Sequence, residues 1–389
     1  MSGLSPAPMP KTLLGFHQVL SPTGGIKVSP LCLGAMNFGT AWEPYMGECS
    51  KEASFAILDT FYKSGGNFID TANAYQDGQS EEWIGEWMKQ RNNRDQMVIA
   101  TKYTTGFRRT QTTTIPLQSN YVGNSTKSLH LSVTQSLKNL QTSYIDILYI
   151  HWWDFTTSVE EVMHSLNALV LAGKVLYLGI SDTPAWVVVK ANAYARANGL
   201  RTFSVYQGRW NAAERDLERE IVPMCLDQGL AVAAFSVLGQ GRLRVGVEGE
   251  EEQEYTGSTR GKVQTETDVV ISKALEKVAK RRGVSLHAIA IAYIRFKAPY
   301  IFPIIGQRKL EHLRANIDAL KIDLSKEEMD EIDNALPFDP GFPMNFVLGD
   351  GFKTLFTAAD VTATKWTAHI DAPTPVMPVR PRRDFRGGE

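Results

Sequence analysis

Eight short apolar segments recur along the chain, and each is followed by an amphipathic stretch long enough for a helix. The segments are rich in β-branched and aromatic residues and have the length of buried strands. They comprise residues 31–35, 67–70, 97–102, 144–151, 175–181, 202–207, 230–236 and 300–305. Because strands and helices alternate in this way over about 290 residues, the pattern predicts an α/β fold, a closed parallel (β/α)8 TIM barrel.

The predicted helices have recognisable ends. Ser158 and Glu161 have the spacing of a capping box, and Gly173 follows the apolar stripe as a natural C-cap. In the next helix, Thr183 is the expected N-cap and Pro184 the first helical residue. These boundaries separate each helix from the strands on either side.

An open, doubly wound sheet is the alternative that the same alternation allows. That fold predicts a Gly-x-Gly-x-x-Gly turn after its first strand. The first strand continues instead as "LCLGAMNFG", and the nearest approach, "GQGRLR" from Gly239, has Arg244 in place of the last glycine. The sequence therefore favours the closed barrel.

Residues 13–336 are assigned to the barrel, between a flexible N-terminus at 1–12 and a C-terminal tail at 337–389. Residues 13–30 carry "SPTGG" between apolar stretches and are expected to form a hairpin across the bottom of the barrel. Residues 245–266 are polar and rich in glycine, which predicts a long loop. The tail is rich in Pro, Gly and Phe, and we expect it to pack on the surface or across the barrel mouth.

Composition narrows the classes of function. The 389 residues are 43% hydrophobic and 21% charged, with a net charge of −1, which is typical of a globular protein and argues against an extended nucleic-acid interface. No apolar run approaches the roughly 18 residues of a membrane span, and no secretory signal is evident. Cys32, Cys49 and Cys225 are too few for a disulfide framework, so we expect buried thiols and a cytoplasmic location.

Four polar residues lie at or just beyond strand ends. Asp70, Lys102 and His151 close the second, third and fourth predicted strands, and Tyr75 lies in the loop after Asp70. Each alone has an ordinary explanation, such as a helix cap, a solvated lysine or a buried histidine. The ends of neighbouring barrel strands meet at one rim, however, where the active sites of such barrels lie.

Together these side chains suit proton transfer to a carbonyl oxygen. A free tyrosine has a pKa of about 10 and is a poor acid near neutral pH. Lys102 is expected to lower the pKa of Tyr75, while Asp70 holds the ammonium charged and oriented. With His151 orienting the oxygen, the array predicts hydride transfer at carbon with Tyr75 as general acid, or the reverse oxidation.

A metal-dependent hydrolase is the other barrel chemistry to consider. Such a site needs several histidines or carboxylates clustered at strand ends. The seven histidines are dispersed, and "HWWD" supplies only His151 and Asp154. We therefore expect no bound metal.

Several motifs resemble those of the aldo-keto reductases, over residues 13–335. In "NFIDTANAY", "ATKY" and "IDILYIHWWD", the family's catalytic tetrad would fall on Asp70, Tyr75, Lys102 and His151. "LGAMNFG", "HWWDFTTSVEEVM" and "GKVLYLGISDTPAWVV" are similar in particular to the fungal aryl-alcohol dehydrogenases and norsolorinic-acid-reductase-like enzymes. The resemblance implies NADP(H) bound across the barrel mouth without a Rossmann fingerprint.

The family's cofactor positions carry over onto residues at several strand ends and in the loops that follow. They are Gly34, Ala35, Met36, Asp70, Ser181, Asp182, Gln207, Phe235, Ser236, Leu238, Gly239, Gly241, Arg242, Gly306, Arg308, His312 and Asn316. Gln207 would bind the nicotinamide amide and Phe235 would stack on its ring. Arg308 would face a 2′-phosphate and favour NADP over NAD, because a guanidinium fork matches a dianionic phosphate. The family usually has Asn at Asp182 and Gln or Arg at His312.

The loop at 245–266 resembles the family's flap over the pyrophosphate, where Arg242 and Arg260 would contact phosphate. Aromatic and apolar residues near the rim are expected to form a flat pocket for the substrate. The alternative is that at least two of the tryptophans pack in the core between helices and strands. The residues expected to line the pocket are Tyr45, Met46, Trp152, Trp153 and Trp210, of which Tyr45, Trp152 and Trp210 are the predicted substrate contacts.

The resemblance implies aryl aldehydes and alcohols as substrates. A polyketide ketone such as an anthraquinone, or a small aliphatic aldehyde, stays open. The second class of function is a nicotinamide-binding regulatory subunit, as the family's potassium-channel β-subunits are. Neither a nucleic acid nor a membrane is an expected partner.

Overall fold

A computed structural model describes residues 7–245, 263–349, 352–382 and 385. The strands in these ranges are β1 (Gln18–Ser21), β2 (Gly24–Val28), β3 (Cys32–Gly34), β4 (Phe68–Asp70), β5 (Val98–Tyr103), β6 (Ile145–Ile150), β7 (Val175–Ser181), β8 (Phe203–Arg209), β9 (Ala231–Phe235) and β10 (Ile301–Ile305). The α-helices are α1 (Glu43–Met46), α2 (Lys51–Lys63), α3 (Gln79–Arg91), α4 (Thr126–Asn139), α5 (Val159–Leu171), α6 (Ala185–Ala197), α7 (Ile221–Gln228), α8 (Glu266–Arg282), α9 (Leu286–Lys297), α10 (Leu310–Asp318), α11 (Lys326–Ala335), α12 (Met344–Leu348) and α13 (Thr362–Lys365).

Strands β3 to β10 form a closed parallel barrel, in which each strand pairs with the next along the chain. The barrel closes where β10 pairs with β3, at Ile304 opposite Cys32 and Ile305 opposite Leu33. Each predicted strand matches an observed one to within two residues at either end. The predicted (β/α)8 barrel is confirmed, and the open sheet is excluded.

The barrel interior is filled by side chains rather than by a channel. Phe68 and Phe302 meet edge to face at its centre, with ring centroids 6.3 Å apart. Leu20 and Val28 of the β1–β2 hairpin join the same apolar cluster and close the N-terminal end of the barrel. The hairpin expected within residues 13–30 is therefore confirmed.

Two predicted helix starts differ in detail from the structure. Ser158 caps α5 by accepting a hydrogen bond from the Glu161 backbone at 3.1 Å, but the Glu161 carboxylate accepts from the N-terminus of α4 instead of completing the capping box. Pro184 is the N-cap of α6 rather than its first residue. The Thr183 hydroxyl donates to the Ser181 carbonyl at 2.7 Å and makes no capping hydrogen bond.

The C-terminal tail packs along the outside of the barrel. Thr354 donates to buried Glu218 at 2.7 Å, in the segment after β8. Further on, Arg380 donates to Asp323 at 3.0 Å, and the ring of Phe385 meets that of Phe16 edge to face at 5.5 Å. The tail thus runs from the C-terminal rim towards the end closed by the hairpin.

Parts of three predicted segments lie outside the described residues. These parts are 1–6 of the N-terminus, 246–262 of the long loop, and 350–351, 383–384 and 386–389 of the tail. Within the described ranges, the helices are all too short or too polar to cross a lipid bilayer.

Candidate active site

Asp70 and Lys102 form a buried ion pair at the C-terminal rim. Asp70 is the last residue of β4, and Lys102 lies near the end of the neighbouring β5. The Lys102 Nζ is 2.7 and 2.8 Å from the two carboxylate oxygens of Asp70 and 2.8 Å from the Thr71 carbonyl. Although burial lowers the pKa of Lys102, the interactions with Asp70 and with Tyr75 outweigh this effect, and the net shift is upward. The lysine therefore stays charged.

Tyr75 lies above this pair, at the start of the short turn Tyr75–Gly78. The Lys102 Nζ is 4.8 Å from the centroid of its ring. The turn is held from the other side, because Gln76 accepts a hydrogen bond from the Trp42 backbone at 2.7 Å and donates to the Met36 carbonyl at 3.1 Å.

The pKa of Tyr75 does not follow the expectation from the sequence. Burial raises it above the usual tyrosine value, and the lowering effect of Lys102 does not compensate. The negative charge of Asp70 adds a smaller upward shift, because it disfavours a phenolate nearby. The expected depression of the pKa is therefore wrong for the free protein, and Tyr75 is a neutral phenol near pH 7.

His151 immediately follows β6, and its ring lies edge to face against that of Tyr75 at 5.9 Å. Burial, with a smaller contribution from Lys102, lowers the pKa of His151 to about 3. The imidazole is therefore neutral near pH 7 and has one ring proton. Its Nδ1 lies 3.1 Å from the Thr105 hydroxyl, which also receives the indole N–H of Trp152 at 3.0 Å.

The structure brings all four predicted catalytic residues together and adds Gln207 to them. Gln207 lies in β8 and donates its amide to Asp70 at 2.7 Å across the barrel. Asp182, which follows β7, has a left-handed φ of +40°. Burial raises the pKa of Asp182 to about 6, against the opposing effects of Lys102 and Arg209.

The rim is well suited to a polar ligand. The Ser181 Oγ, the Ser236 Oγ and the Gln307 Nε2 are buried and have no hydrogen-bond partner among the residues that the structure describes. They follow or end β7, β9 and β10. These three buried atoms on one rim are therefore available to hydrogen-bond a polar ligand. The residues present therefore fit the nicotinamide dinucleotide that the family resemblance implies.

The other predicted cofactor residues lie around the same rim. Gly34 ends β3 beside Ile304, where a Cβ would lie 2.8 Å from the Ile304 Cγ2. Phe235 ends β9 and is half-buried. The remainder of this group follows β3 and β9 directly and comprises Ala35, Met36, Leu238, Gly239 and Gly241.

A second group of predicted cofactor residues follows β10. Gly306 is exposed, and Asn316 of α10 is buried with its amide 3.5 Å from that of Gln307. The guanidinium of Arg308 lies against Gly47. The side chain of His312 is 61% exposed. This end of the site is thus accessible to solvent at Gly306 and His312, and Arg308 gives it a positive charge.

Arg242 occupies a different environment from the one predicted. Its guanidinium is 3.0 Å from Glu214 and 3.1 Å from Asp268, so two carboxylates of the protein already engage it. Arg260 and residues 246–262 of the flap lie outside the described residues.

The predicted substrate residues divide into two groups. Tyr45 is 47% exposed and Trp152 is half-buried beside His151. Trp210 has no exposed surface and donates to Glu218 at 3.1 Å, and Trp153 is also buried. The prediction of a direct substrate contact for Trp210 is therefore not supported, because the turn after β8 directs its indole into the core.

Sequence reasoning missed two residues beside the tetrad. The rings of Trp42 and Tyr75 meet edge to face with centroids 6.2 Å apart. The Thr105 hydroxyl forms a hydrogen bond with the Nδ1 of His151. Trp42 had one weak signal, its position three residues before Tyr45. Among the described residues, no group of three histidine, cysteine or acidic side chains lies close enough to hold a metal ion.

The chain matches the sequence model of the Aldo/keto reductase family over residues 30–337. It is 52% identical to norsolorinic acid reductase of Aspergillus flavus over 389 residues, covering 99% of this chain and 98% of that protein. Norsolorinic acid reductase B of Dothistroma septosporum is 54% identical over 373 residues, covering 93% and 94%. An aryl-alcohol dehydrogenase (NADP+) of Phanerodontia chrysosporium is 53% identical over 358 residues, covering 89% and 92%.

Proposed function

Because the chain belongs to the aldo/keto reductase family of oxidoreductases, we propose that it interconverts aryl aldehydes and their alcohols with NADP(H). The observation that carries this proposal is the convergence of Tyr75, Lys102 and His151 at one point of the rim. The Lys102 Nζ is 4.8 Å from the Tyr75 ring centroid, and the Tyr75 and His151 rings are 5.9 Å apart. Carbonyl reduction requires a proton donor, a cation that stabilises the donor after it has lost its proton, and a hydrogen-bond donor to the carbonyl oxygen. Tyr75, Lys102 and the neutral His151 would supply these three groups.

Each residue of the tetrad has a distinct role in the proposed reaction. A bound nicotinamide would supply the hydride to the carbonyl carbon, or would receive it in the oxidation direction. The π electrons of the C=O bond move to oxygen, which takes the phenolic proton of Tyr75 and becomes the alcohol. Lys102, kept charged by Asp70, stabilises the tyrosinate until it regains a proton from water. The neutral His151 donates its ring N–H to the carbonyl oxygen and orients it.

NADP(H) is supported by the orphaned polar atoms of the rim and by Arg308, whose half-buried guanidinium suits a 2′-phosphate. The name of the relative from Phanerodontia chrysosporium includes the same cofactor. The proposed binding residues are Gly34, Ala35, Met36, Asp70, Ser181, Asp182, Gln207, Phe235, Ser236, Leu238, Gly239, Gly241, Gly306, Arg308, His312 and Asn316.

Aryl substrates are supported by two tryptophans beside the tetrad. Trp42 lies against Tyr75, and Trp152 is adjacent to His151, so flat aromatic surfaces flank the reacting groups. A polyketide ketone such as an anthraquinone is the second candidate substrate, favoured by the similarity to two enzymes named norsolorinic acid reductase. The three free, buried cysteines agree with a reducing compartment, and we propose the cytoplasm.

A turnover assay with veratraldehyde, an anthraquinone ketone and an aliphatic aldehyde tests the proposal. We expect consumption of NADPH with the aromatic aldehyde, and much slower consumption of NADH. If NADPH binds tightly but no carbonyl is reduced and no alcohol oxidised, the enzyme proposal is wrong and the regulatory-subunit alternative is favoured.

A further inference from the structure

The side chains of Trp152, Thr105 and His151 form a continuous hydrogen-bonded row on the rim. The Thr105 Oγ1 is 3.0 Å from the indole Nε1 of Trp152 and 3.1 Å from the imidazole Nδ1 of His151. Thr105 belongs neither to the tetrad nor to the cofactor positions. It nevertheless connects a residue of the proposed substrate pocket to the histidine that faces the carbonyl.

The chemistry of the indole determines the direction of one of the two hydrogen bonds and favours one direction for the other. An indole N–H can only donate, so the Thr105 oxygen is the acceptor from Trp152. The single hydroxyl proton of Thr105 then points to the Nδ1 of His151, which accepts it when the imidazole proton is on Nε2. The opposite tautomer would leave the hydroxyl proton without an acceptor among the residues that the structure describes.

The backbone that positions Thr105 is strained and firmly held. Thr104 has a φ of +97°, which a β-branched residue rarely adopts. Its hydroxyl accepts from the Asn124 amide at 2.9 Å, and its carbonyl accepts from the Gly123 N–H at 2.8 Å. Strain maintained by several hydrogen bonds is characteristic of functional sites. Here the strained residue immediately follows β5 and turns Thr105 towards His151.

We propose that Thr105 is a positioning residue, whose hydroxyl holds His151 in the tautomer protonated on Nε2 and holds Trp152 beside it. The inference rests on the proposed function in one respect, the identity of the acceptor: the Nε2–H donates to the carbonyl oxygen. A histidine protonated on Nδ1 would present a lone pair to that oxygen and repel it. Thr105 therefore determines whether His151 assists the reduction.

The tautomer can be measured directly in the full-length protein labelled with ¹⁵N-histidine. Proton–nitrogen correlation spectra distinguish a protonated from an unprotonated ring nitrogen, and the spectrum of His151→Gln identifies the signals of His151. We expect a protonated Nε2 in the wild type and in Thr105→Ser, and a mixture of tautomers in Thr105→Val. A wild-type Nδ1–H, or an unchanged tautomer in Thr105→Val, would overturn the proposal.

Kinetics supply a second readout. Loss of a donor to a developing oxyanion costs about 10²- to 10³-fold in rate, and a mixed tautomer loses part of that, so we expect Thr105→Val to lower kcat about 10- to 100-fold. KM and the Kd of NADPH should change little, and Thr105→Ser should restore the rate. Thr110→Val, at an exposed threonine of the same loop, is the matched control and should behave as wild type.

The two proposals can fail separately. If the wild type reduces no carbonyl, the proposed function is wrong, while the tautomer spectra still decide the role of Thr105. If the wild type is active and Thr105→Val retains its full rate, the role of Thr105 in positioning is wrong and the proposed function stands.

Discussion

The guanidinium of Arg308 lies directly against the α-carbon of Gly47: a Cβ at Gly47 would stand only 1.8 Å from the Arg308 Nη1. Gly47 has a φ of +77° and immediately follows α1, whereas Arg308 follows β10. A glycine near one end of the chain thus provides the space for a cation near the other. If Arg308 binds the 2′-phosphate, Gly47 determines where that phosphate is recognised.

We therefore expect Gly47→Ala to displace Arg308 and weaken NADPH binding. Loss of charge-assisted hydrogen bonds of about 1.5–3 kcal/mol corresponds to about a 10- to 100-fold rise in Kd. NADH, which lacks the phosphate, should bind as before, and fluorescence titration measures both affinities. Gly173→Ala is the control, since Gly173 has a similar φ of +65° but no atom within 4 Å of a Cβ. Equal weakening for both cofactors would contradict the assignment of Arg308.

Replacing Tyr75 with phenylalanine tests the proton donor. The substitution removes the phenolic hydroxyl and leaves the ring that packs against Trp42 and His151. Because general acid catalysis contributes about 10²- to 10⁴-fold, we expect kcat to fall by that factor while NADPH affinity is retained. Tyr62→Phe, at a tyrosine bonded to Gln96 on the surface, should have no effect on kcat. Full activity in Tyr75→Phe would show that another group donates the proton.

The Asp70–Lys102 pair is expected to support stability as well as catalysis. Asp70→Asn leaves the ammonium of Lys102 in an environment where its side chain has no exposed surface. Removing one partner of such a pair costs about 3–5 kcal/mol in the free energy of unfolding. The same change at Asp59, whose partner Arg91 is partly exposed, should cost under about 1 kcal/mol. Urea denaturation measures the free energy of unfolding of the two variants. If both lose the same amount, the Asp70–Lys102 pair is solvated and the prediction is wrong.

Glu218 connects the core behind the active site to the C-terminal tail. It has no exposed surface and accepts hydrogen bonds from Trp210 at 3.1 Å, from Arg215 twice at 2.8 Å, and from Thr354 at 2.7 Å. Lys297 lies 3.2 Å away. Although burial raises the pKa of Glu218, these partners lower it to about 2.

Glu218→Gln should therefore lower the free energy of unfolding by about 3–5 kcal/mol, because two buried cations lose a shared anion. The stabilisation from Glu218 is present above the ordinary glutamate pKa and is lost as the pH falls through about 2. The tail of the variant should also become more susceptible to limited proteolysis, since its anchor at Thr354 weakens. Glu311→Gln, at an exposed glutamate, is the control and should change neither quantity.

Asp182 has a pH dependence of opposite sign. Its pKa is raised by burial to about 6 in the folded protein, compared with about 3.9 in an unfolded chain. Any stabilisation from its neutral form is complete below about pH 4 and is lost as the pH rises through about 6. We expect Asp182→Asn, which stays neutral, to raise Tm relative to wild type more at pH 8 than at pH 4. Asp371→Asn, at an exposed aspartate, is the control and should not show this pH-dependent rise in Tm. If Asp182→Asn does not show it either, the raised pKa of Asp182 is wrong.

The fold and the positions of the proposed catalytic residues could both be predicted from local sequence patterns. Strands buried on both faces of a parallel barrel need short, nearly continuous apolar runs, and the helices around them need an apolar stripe. Asp70, Lys102 and His151 close three successive runs of this kind, so the position of each along the chain also implies its position on the rim. Once neighbouring strands along the chain pair with each other in the barrel, these three residues come together.

Other features depend on contacts between segments that are far apart in the chain. Trp152 and Trp210 look alike as tryptophans after strands, but one borders the site and the other is buried against Glu218. The hydrogen bond between Thr105 and His151 depends on the strained turn at Thr104, which no sequence pattern predicts. Likewise, the pKa of Tyr75 reflects a balance of burial, Lys102 and Asp70. Periodicity specifies which residues belong to which element, whereas orientation and electrostatic environment arise only when all the elements pack.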